Sequence, residues 1–528
     1  MTPDAFVMMT EVQVAVERMV TDPSWATVQS ILLGEMGWLP LALGWLAVLF
    51  AVHTAGSLLL TLGHVVAGNG SEAVPQPQTY PPLPDDAFDV CVVGAGPAGS
   101  VTAYYAVKAG LRVLLLEKKK FPRVKVCGDA VCTQAQDIME DMESATGHGS
   151  VLDEIMREGL GHAAANGGLV SPAGYSYIGN SVGDAAAGKL SRSAVIAIKR
   201  VVMDEKLARS AAHAGALLVE EASVEAAHLD TAQRLWQVRT ECGDAGEPMT
   251  YKARVLVCAD GAPSRLAMQL GIVKEAPQGT CSRAYVKAGS HNYRADGTVI
   301  YNKDLLPGYM AIFREANDEL NYCCYIIPGN PKVRNEDLSR MHHALIKDDF
   351  YLSRALGLKP DMESMKAGSL RLGGVAKSFD EQLLIVGDAA GFIDPLTGEG
   401  IHHGMHSGVL AAEVLRDAFR HRDLSARYLE NYQRRWMREF GNDFRASMRL
   451  ALVLYRFPIL LDAATLCIEK QGDEFLAEWA RIMTGQRPKR YLFRPKIMLA
   501  MSVELVQLAI ARALRLEVKP IDQLRKVK

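Results

Sequence analysis

Two glycine-rich turns, each fed by an apolar strand and followed by a helix, carry the residues whose types and spacing could do chemistry. The first is Asp89-Val-Cys-Val-Val-Gly94-Ala-Gly96-Pro97-Ala98-Gly99-Ser100. Gly94 permits the tight turn out of the strand, Gly96 lets backbone N–H groups approach a pyrophosphate, and Gly99 lets the helix lie close on the sheet. After a helix length comes Arg112-Val-Leu-Leu-Leu-Glu117-Lys118. Glu117 stands at the tip of this second strand, where a carboxylate can accept both ribose hydroxyls of an adenosine. The second turn lies far downstream, in Gln382-Leu-Leu-Ile-Val-Gly387-Asp388 and Asp394-Pro395-Leu-Thr397-Gly398-Glu399-Gly400-Ile401. Asp388 can accept a ribityl hydroxyl, and the amides from Gly398 to Ile401 open a helix whose positive end can stabilise negative charge on a reduced ring. An adenosine site and a ribityl site in one chain imply FAD.

The elements that must position these residues follow in order. The chain of 528 residues, 22% charged and 49% hydrophobic, is too long for one simple domain. We divide it into an acidic N-terminal segment (1–35), a transmembrane anchor (36–67), a Pro-rich linker (68–86), a first FAD-binding part (87–270), a substrate-binding antiparallel sheet (271–378), a second FAD-binding part (379–424) and a C-terminal helical region (425–528). The fold class expected is α/β: a Rossmann-type FAD-binding domain with an interleaved antiparallel-sheet substrate domain, C-terminal helices and an N-terminal transmembrane helix. The anchor rests on a stretch from Met36 to Ser71 with no Asp, Glu, Lys or Arg, long enough to span a bilayer. It implies a single-pass membrane protein with its catalytic body on the cytosolic or stromal side, in the endoplasmic reticulum or a plastid. Near the C-terminus, Arg445 to Glu469 reads as a helix kinked or broken at Pro458, and Ile497 to Ala511, interrupted by Glu504, equally as an interfacial or tunnel-capping helix or as one packed on the body.

The net charge of −2 gives no reason to expect a nucleic-acid partner. The nine scattered cysteines suit a reducing compartment. His402 and His406 are four apart on one helical face, the spacing of a metal pair, but no third ligand is evident. They read as helix-surface or flavin-proximal packing, and no metal is expected.

Past the second strand, Lys118-Lys-Lys-Phe121-Pro-Arg123-Val-Lys125-Val-Cys127-Gly128 resembles the segment that follows the dinucleotide fold in the geranylgeranyl reductase family of flavoproteins. The Gly398-Glu-Gly-Ile401 ending resembles the same family. The resemblance implies a glutathione-reductase/hydroxylase-type FAD fold and places Cys127 and Gly128 beside the flavin ring. It also implies a cofactor-proximal Arg200 and an Asp260-Gly261 turn that closes the FAD pocket. Pro307-Gly308-Tyr309-Met310-Ala311-Ile312-Phe313-Arg314 resembles the family's substrate-facing Gly-Tyr-x-Trp-x-Phe-Pro motif, with Ala311 in place of Trp and Arg314 in place of Pro. The implied activity is reduction of carbon–carbon double bonds in a polyprenyl lipid, with Cys127 next to the reaction and Tyr309 and Phe313 lining the tail pocket. No second dinucleotide motif follows, so NAD(P)H or a protein electron donor would act transiently. The alternatives are a flavin monooxygenase of the squalene epoxidase type and a non-catalytic flavoprotein subunit of a membrane complex.

Overall fold

A computed structural model describes residues 71–180, 194–242, 248–327 and 338–513. Its first sheet is built on four parallel neighbours in the order Leu383–Ile385, Pro248–Cys258, Ala87–Val93 and Val113–Leu116, with Leu217–Val219 parallel at the far side. Val90, Cys91, Val92, Leu114 and Leu115 are all fully buried. That is the outcome for strands covered on both faces, which need no polar side. The antiparallel pair Ala222–Asp230 and Leu235–Cys242 extends this sheet through Pro248–Cys258.

Helix Pro97–Lys108 leaves the first glycine turn, and helix Ile401–His421 leaves the second. The two helices pack tightly on each other. The crossing is close because a small residue sits there: a Cβ on Gly408 would lie 2.7 Å from the Ala98 carbonyl oxygen. Two motifs nearly 300 residues apart in sequence thereby become one wall.

A second, seven-stranded sheet runs in the order Lys366–Leu370, Gly279–Val286, Leu320–Ile326, Gly308–Arg314, Gly297–Ile300, Asn166–Val170, Ser176–Asn180. It is antiparallel except where Gly297–Ile300 meets Asn166–Val170. The last two strands come from upstream of residue 271, so the sheet draws on more of the chain than the 271–378 stretch. Its strands Gly308–Arg314 and Leu320–Ile326 are joined in register, with Ala311 opposite Cys323 and Tyr309 opposite Tyr325.

Of the C-terminal helices Ala426–Trp436, Asn442–Arg456, Ile459–Gln471, Asp473–Met483 and Pro495–Ala513, the first packs on helix Ile401–His421, and the third and fourth on strand Ser176–Asn180. The break falls at Phe457-Pro458, where proline cannot continue the hydrogen-bond ladder. Glu504 is buried and pairs with Lys470 at 2.8 Å, so Pro495–Ala513 is packed on its neighbour Ile459–Gln471.

The expectation of an N-terminal transmembrane helix, and of a single-pass location with a cytosolic or stromal body, is corrected. Among the described residues no single helix is long and apolar enough to cross a membrane. The one candidate is internal, the pair Ala426–Arg456 and Ile459–Gln471, bent by 99°. This pair is tied into the body: Asp462, on its second arm, is buried and accepts from the Ala173 amide at 2.9 Å and from Arg512 at 2.6 Å. The stretch 36–67 lies outside the described residues.

The Pro-rich segment from Ser71 to Pro84 has no helix or strand but is strapped to the body. The Ala73 amide donates to Asn431 at 2.7 Å, the Gln76 amide to Asp423 at 2.6 Å, and Glu72 receives both ends of the Arg435 fork at 3.0 and 3.1 Å. Tyr80 lies beneath two guanidinium groups, Arg234 at 4.7 Å and Arg254 at 5.4 Å.

Candidate active site

A cavity of about 1110 Å³ lies between the two sheets and reaches helix Asp473–Met483. At one end the first glycine turn forms its floor. A Cβ on Gly99 would fall 1.9 Å from the Gly94 carbonyl oxygen, whereas the nearest atom to a Cβ on Gly96 is an Arg123 nitrogen at 3.8 Å. The turn is therefore closed where the helix meets it and open where a phosphate would lie. Glu117 is buried at the end of strand Val113–Leu116; its carboxylate accepts from the Ala95 amide at 3.1 Å and the Lys119 amide at 3.2 Å and faces Arg123 at 3.3 Å. Gly94, Gly96, Pro97, Ala98, Glu117 and Lys118 all line the cavity; Gly99 lies behind it.

Midway, buried Asp204 holds two guanidinium groups. Arg200 reaches it with two nitrogens at 2.6 and 2.8 Å, and Arg123 at 2.7 Å. Arg200 lines the cavity, and although burial opposes its charge, Asp204 holds it protonated. Cys127 and Gly128 line the same wall, with the Cys127 carbonyl accepting from Asn321 at 3.0 Å. Burial pushes the Cys127 thiol up, and the positive Arg200 only partly opposes this. Asp260 and Gly261 close the opposite side; the Asp260 carboxylate accepts from Ser264 at 3.0 Å and the Leu266 amide at 3.1 Å, and burial raises its pKa.

Beside the first turn, strand Leu383–Ile385 delivers Gly387 and Asp388 to the cavity, where a Cβ on Gly387 would lie 2.6 Å from Ala98, and Gly398, Gly400 and Ile401 follow on the helix-opening loop. Lys125 stands 3.9 Å from the Asp388 carboxylate. Pro395 does not line the cavity; its carbonyl accepts from Tyr325 at 3.0 Å, which shapes the loop from behind. Tyr309 and Phe313 do line it, together with Ala311, Cys323, Tyr325 and Trp479. Arg314 lines it too, and donates to the Tyr293 carbonyl at 2.6 Å while facing Asp296 at 3.5 Å.

The FAD binding domain family model matches residues 87–437. Over 370 residues, spanning 69% of this chain and 86% of the relative, the chain is 30% identical to digeranylgeranylglycerophospholipid reductase 2 of Methanopyrus kandleri. The chain belongs to the geranylgeranyl reductase family of FAD-dependent oxidoreductases. It is also 54% identical, over 78% of its length and 79% of the relative's, to conditioned medium factor receptor 1 of Dictyostelium discoideum. The fold is that of a geranylgeranyl bacteriochlorophyll reductase-like protein of Thermoplasma acidophilum, with a TM-score of 0.59 and 19% identity, covering 82% of this chain and 99% of that one.

The residues present fit the family's FAD. An open turn at Gly96, a buried acid one strand away and an exposed helix start at Gly398–Ile401 lie along one continuous cavity. These are the parts that the pyrophosphate, adenosine and flavin ring of FAD require. Arg371, which motif reading did not single out, braces the two halves: fully buried, it donates to the Ala389 carbonyl at 2.9 Å, the Pro263 carbonyl at 2.8 Å and the Glu275 carbonyl at 3.0 Å. Its local sequence carries no sign of this, because all three partners are backbone carbonyls from distant segments.

A second group was also missed. Sequence spacing pairs His402 with His406, but the structure brings Cys132 and Glu399 to His402 instead. Cys132 Sγ is 3.1 Å from His402 Nδ1, the Glu399 carboxylate touches the same nitrogen, and His403 Nδ1 is 3.1 Å from Glu399. His406 packs near Phe440, its ring 5.9 Å away.

Proposed function

We propose that this family member reduces carbon–carbon double bonds of a polyprenyl lipid. Reduced FAD, when bound, supplies the hydride. The observation that carries the reading is the wall formed by Tyr309, Ala311, Phe313, Tyr325 and Trp479, an apolar continuation of the FAD cavity. Such a surface suits a tail without polar groups and excludes water from the reacting carbons. Ala311 stands where a resembling motif has Trp, which widens this wall. Cys127 lines the flavin side of this cavity, where burial raises its thiol pKa and keeps the proton at Sγ; we assign it as the group that hands a proton to the second alkene carbon. Arg200 and Asp204 keep a fixed charge beside it. The reductase named among the relatives supports a prenyl substrate, and electrons come from NAD(P)H or a protein donor that visits transiently.

The test is anaerobic photometry of the purified flavoprotein. With the flavin reduced, a polyprenyl diphosphate should reoxidise it without oxygen and yield a product heavier by two hydrogens. Cys127→Ala and Tyr309→Ala should slow this reoxidation; unchanged turnover and products in both would remove their assigned roles. Reoxidation only in air, with an oxygenated product, would mark a monooxygenase.

A second reading draws on the relative named as a receptor at 54% identity. A flavoprotein whose role is binding would hold FAD yet show no lipid-dependent change in either experiment.

A further inference from the structure

Three donor atoms of different chemistry, from Cys132, Glu399 and His402, converge beside the flavin cavity, with His403 Nδ1 3.1 Å from Glu399. Cys132 ends the strand Ala130–Cys132, Glu399 sits in the helix-opening loop, and His402 and His403 occupy the first turn of helix Ile401–His421. Ligand atoms of Cys132, Glu399 and His402 all lie within 4.8 Å of one another. Cys132 Sγ stands 3.1 Å from His402 Nδ1 and 3.8 Å from Glu399. His402 Nδ1 thus faces a thiol and a carboxylate at once, and one ring nitrogen carries at most one proton. Independently, Glu399 Oε2 and His403 Nδ1 are buried atoms that no well-formed hydrogen bond reaches, although they are 3.1 Å apart. His403 is only 5% exposed, so no bulk water compensates.

We propose that Cys132, Glu399 and His402, with His403 beside Glu399, form a binding site for a divalent metal ion of the zinc type. A sulfur, a carboxylate and imidazole nitrogens make the mixed, borderline-soft set that suits Zn²⁺ better than Mg²⁺ or Ca²⁺. Thiolate and carboxylate together neutralise a doubly charged ion, which removes the cost of burying it. A cation also satisfies Cys132, Glu399 and His402 at once, where the single proton on His402 Nδ1 serves only one of its two neighbours. The ion would clamp the strand end at Cys132 to the loop whose amides, from Gly398 to Ile401, face the flavin. Its role is positioning, since it would fix the loop that opens helix Ile401–His421.

The experiment uses the full chain with FAD bound, stripped of metal by chelator and then titrated with Zn²⁺ against a chromophoric competitor, with Co²⁺ as a spectroscopic substitute. One equivalent of Zn²⁺ should bind, with a thiolate-to-metal charge-transfer band in the Co²⁺ form. Cys132→Ser should abolish that band, and Cys132→Ser and His402→Gln should each weaken Zn²⁺ by at least about tenfold. Binding of less than about a tenth of an equivalent by the wild type, or equal affinity in the two variants, would overturn the proposal. Should either variant fail to fold, the wild-type Co²⁺ spectrum decides: a form with no thiolate band overturns it.

Discussion

The Tyr309 hydroxyl donates to the Thr397 carbonyl, joining the middle of the antiparallel sheet to the loop that opens helix Ile401–His421. Wall and cofactor loop are therefore mechanically one unit. Tyr309→Phe keeps the ring against the cavity but leaves a half-buried carbonyl without its donor, a loss of about 1 kcal/mol. We expect a lowered melting temperature and weaker FAD retention, read by thermal denaturation and by FAD release on dilution. A variant indistinguishable from wild type in both would show that the loop is held by other contacts.

Gly96 and Gly99 separate cofactor binding from folding. At Gly99 a Cβ meets backbone at 1.9 Å, whereas at Gly96 it meets nothing nearer than 3.8 Å. Gly99→Ala should therefore reduce soluble folded protein. Gly96→Ala should give an apoprotein of near wild-type melting temperature whose FAD affinity falls at least about tenfold, since the methyl group occupies the phosphate's approach. Circular dichroism and flavin fluorescence distinguish the two outcomes.

Lys489 and Asp394 form an ion pair of 3.1 Å in which both side chains are almost fully buried. Asp394 also accepts from the Leu396 and Thr397 amides and from Ser447. Removing the lysine leaves a buried carboxylate under the flavin loop, so Lys489→Ala should cost about 3–5 kcal/mol. Urea denaturation checks this, and a change below about 1 kcal/mol would assign the loop's rigidity to its backbone bonds alone.

His342 supplies a pH-dependent term. It is buried on the back of the antiparallel sheet, 2.7 Å from the Ser282 hydroxyl and edge-on to Tyr322. Burial, with His343 adding to it, holds its pKa down to about 4 against an ordinary 6.5. Between these values the unfolded chain binds a proton that the folded one refuses, so stability is full above about pH 6.5 and falls as pH drops toward 4. The loss is on the order of 3 kcal/mol. His342→Gln should flatten the melting-temperature profile across this window; an unchanged slope would place the acid sensitivity elsewhere.

The parts of the site that were legible beforehand are those written locally. Gly94 to Gly99, Glu117 and the Gly387-Asp388 turn announce themselves because a tight turn, a phosphate approach and a strand-end acid need particular residue types at short spacing. Cys132 and His402 are 270 residues apart, and nothing near either signals the other. Arg371 was hidden for the same reason. The strap from Ser71 to Pro84 was readable as extended from its prolines, but its docking depends on Asn431, Asp423 and Arg435, supplied by a distant helix and the turn before it. The membrane anchor shows the opposite error: hydropathy measures length and apolarity, and among the described residues the sole candidate by those measures is a bent internal pair.

The tight crossing of Gly408 over Ala98 also sets an order of events during synthesis. A nascent chain that has completed the first glycine turn owns only half of a flavin site, because the other half is encoded beyond residue 380. The ribosome must release helix Ile401–His421 before the two halves can close on each other, and adding residues one at a time delays that moment by most of the chain's translation. Cofactor capture is thus a late step in the life of each molecule, and a chain truncated before Ile401 should emerge without flavin however intact its first motif.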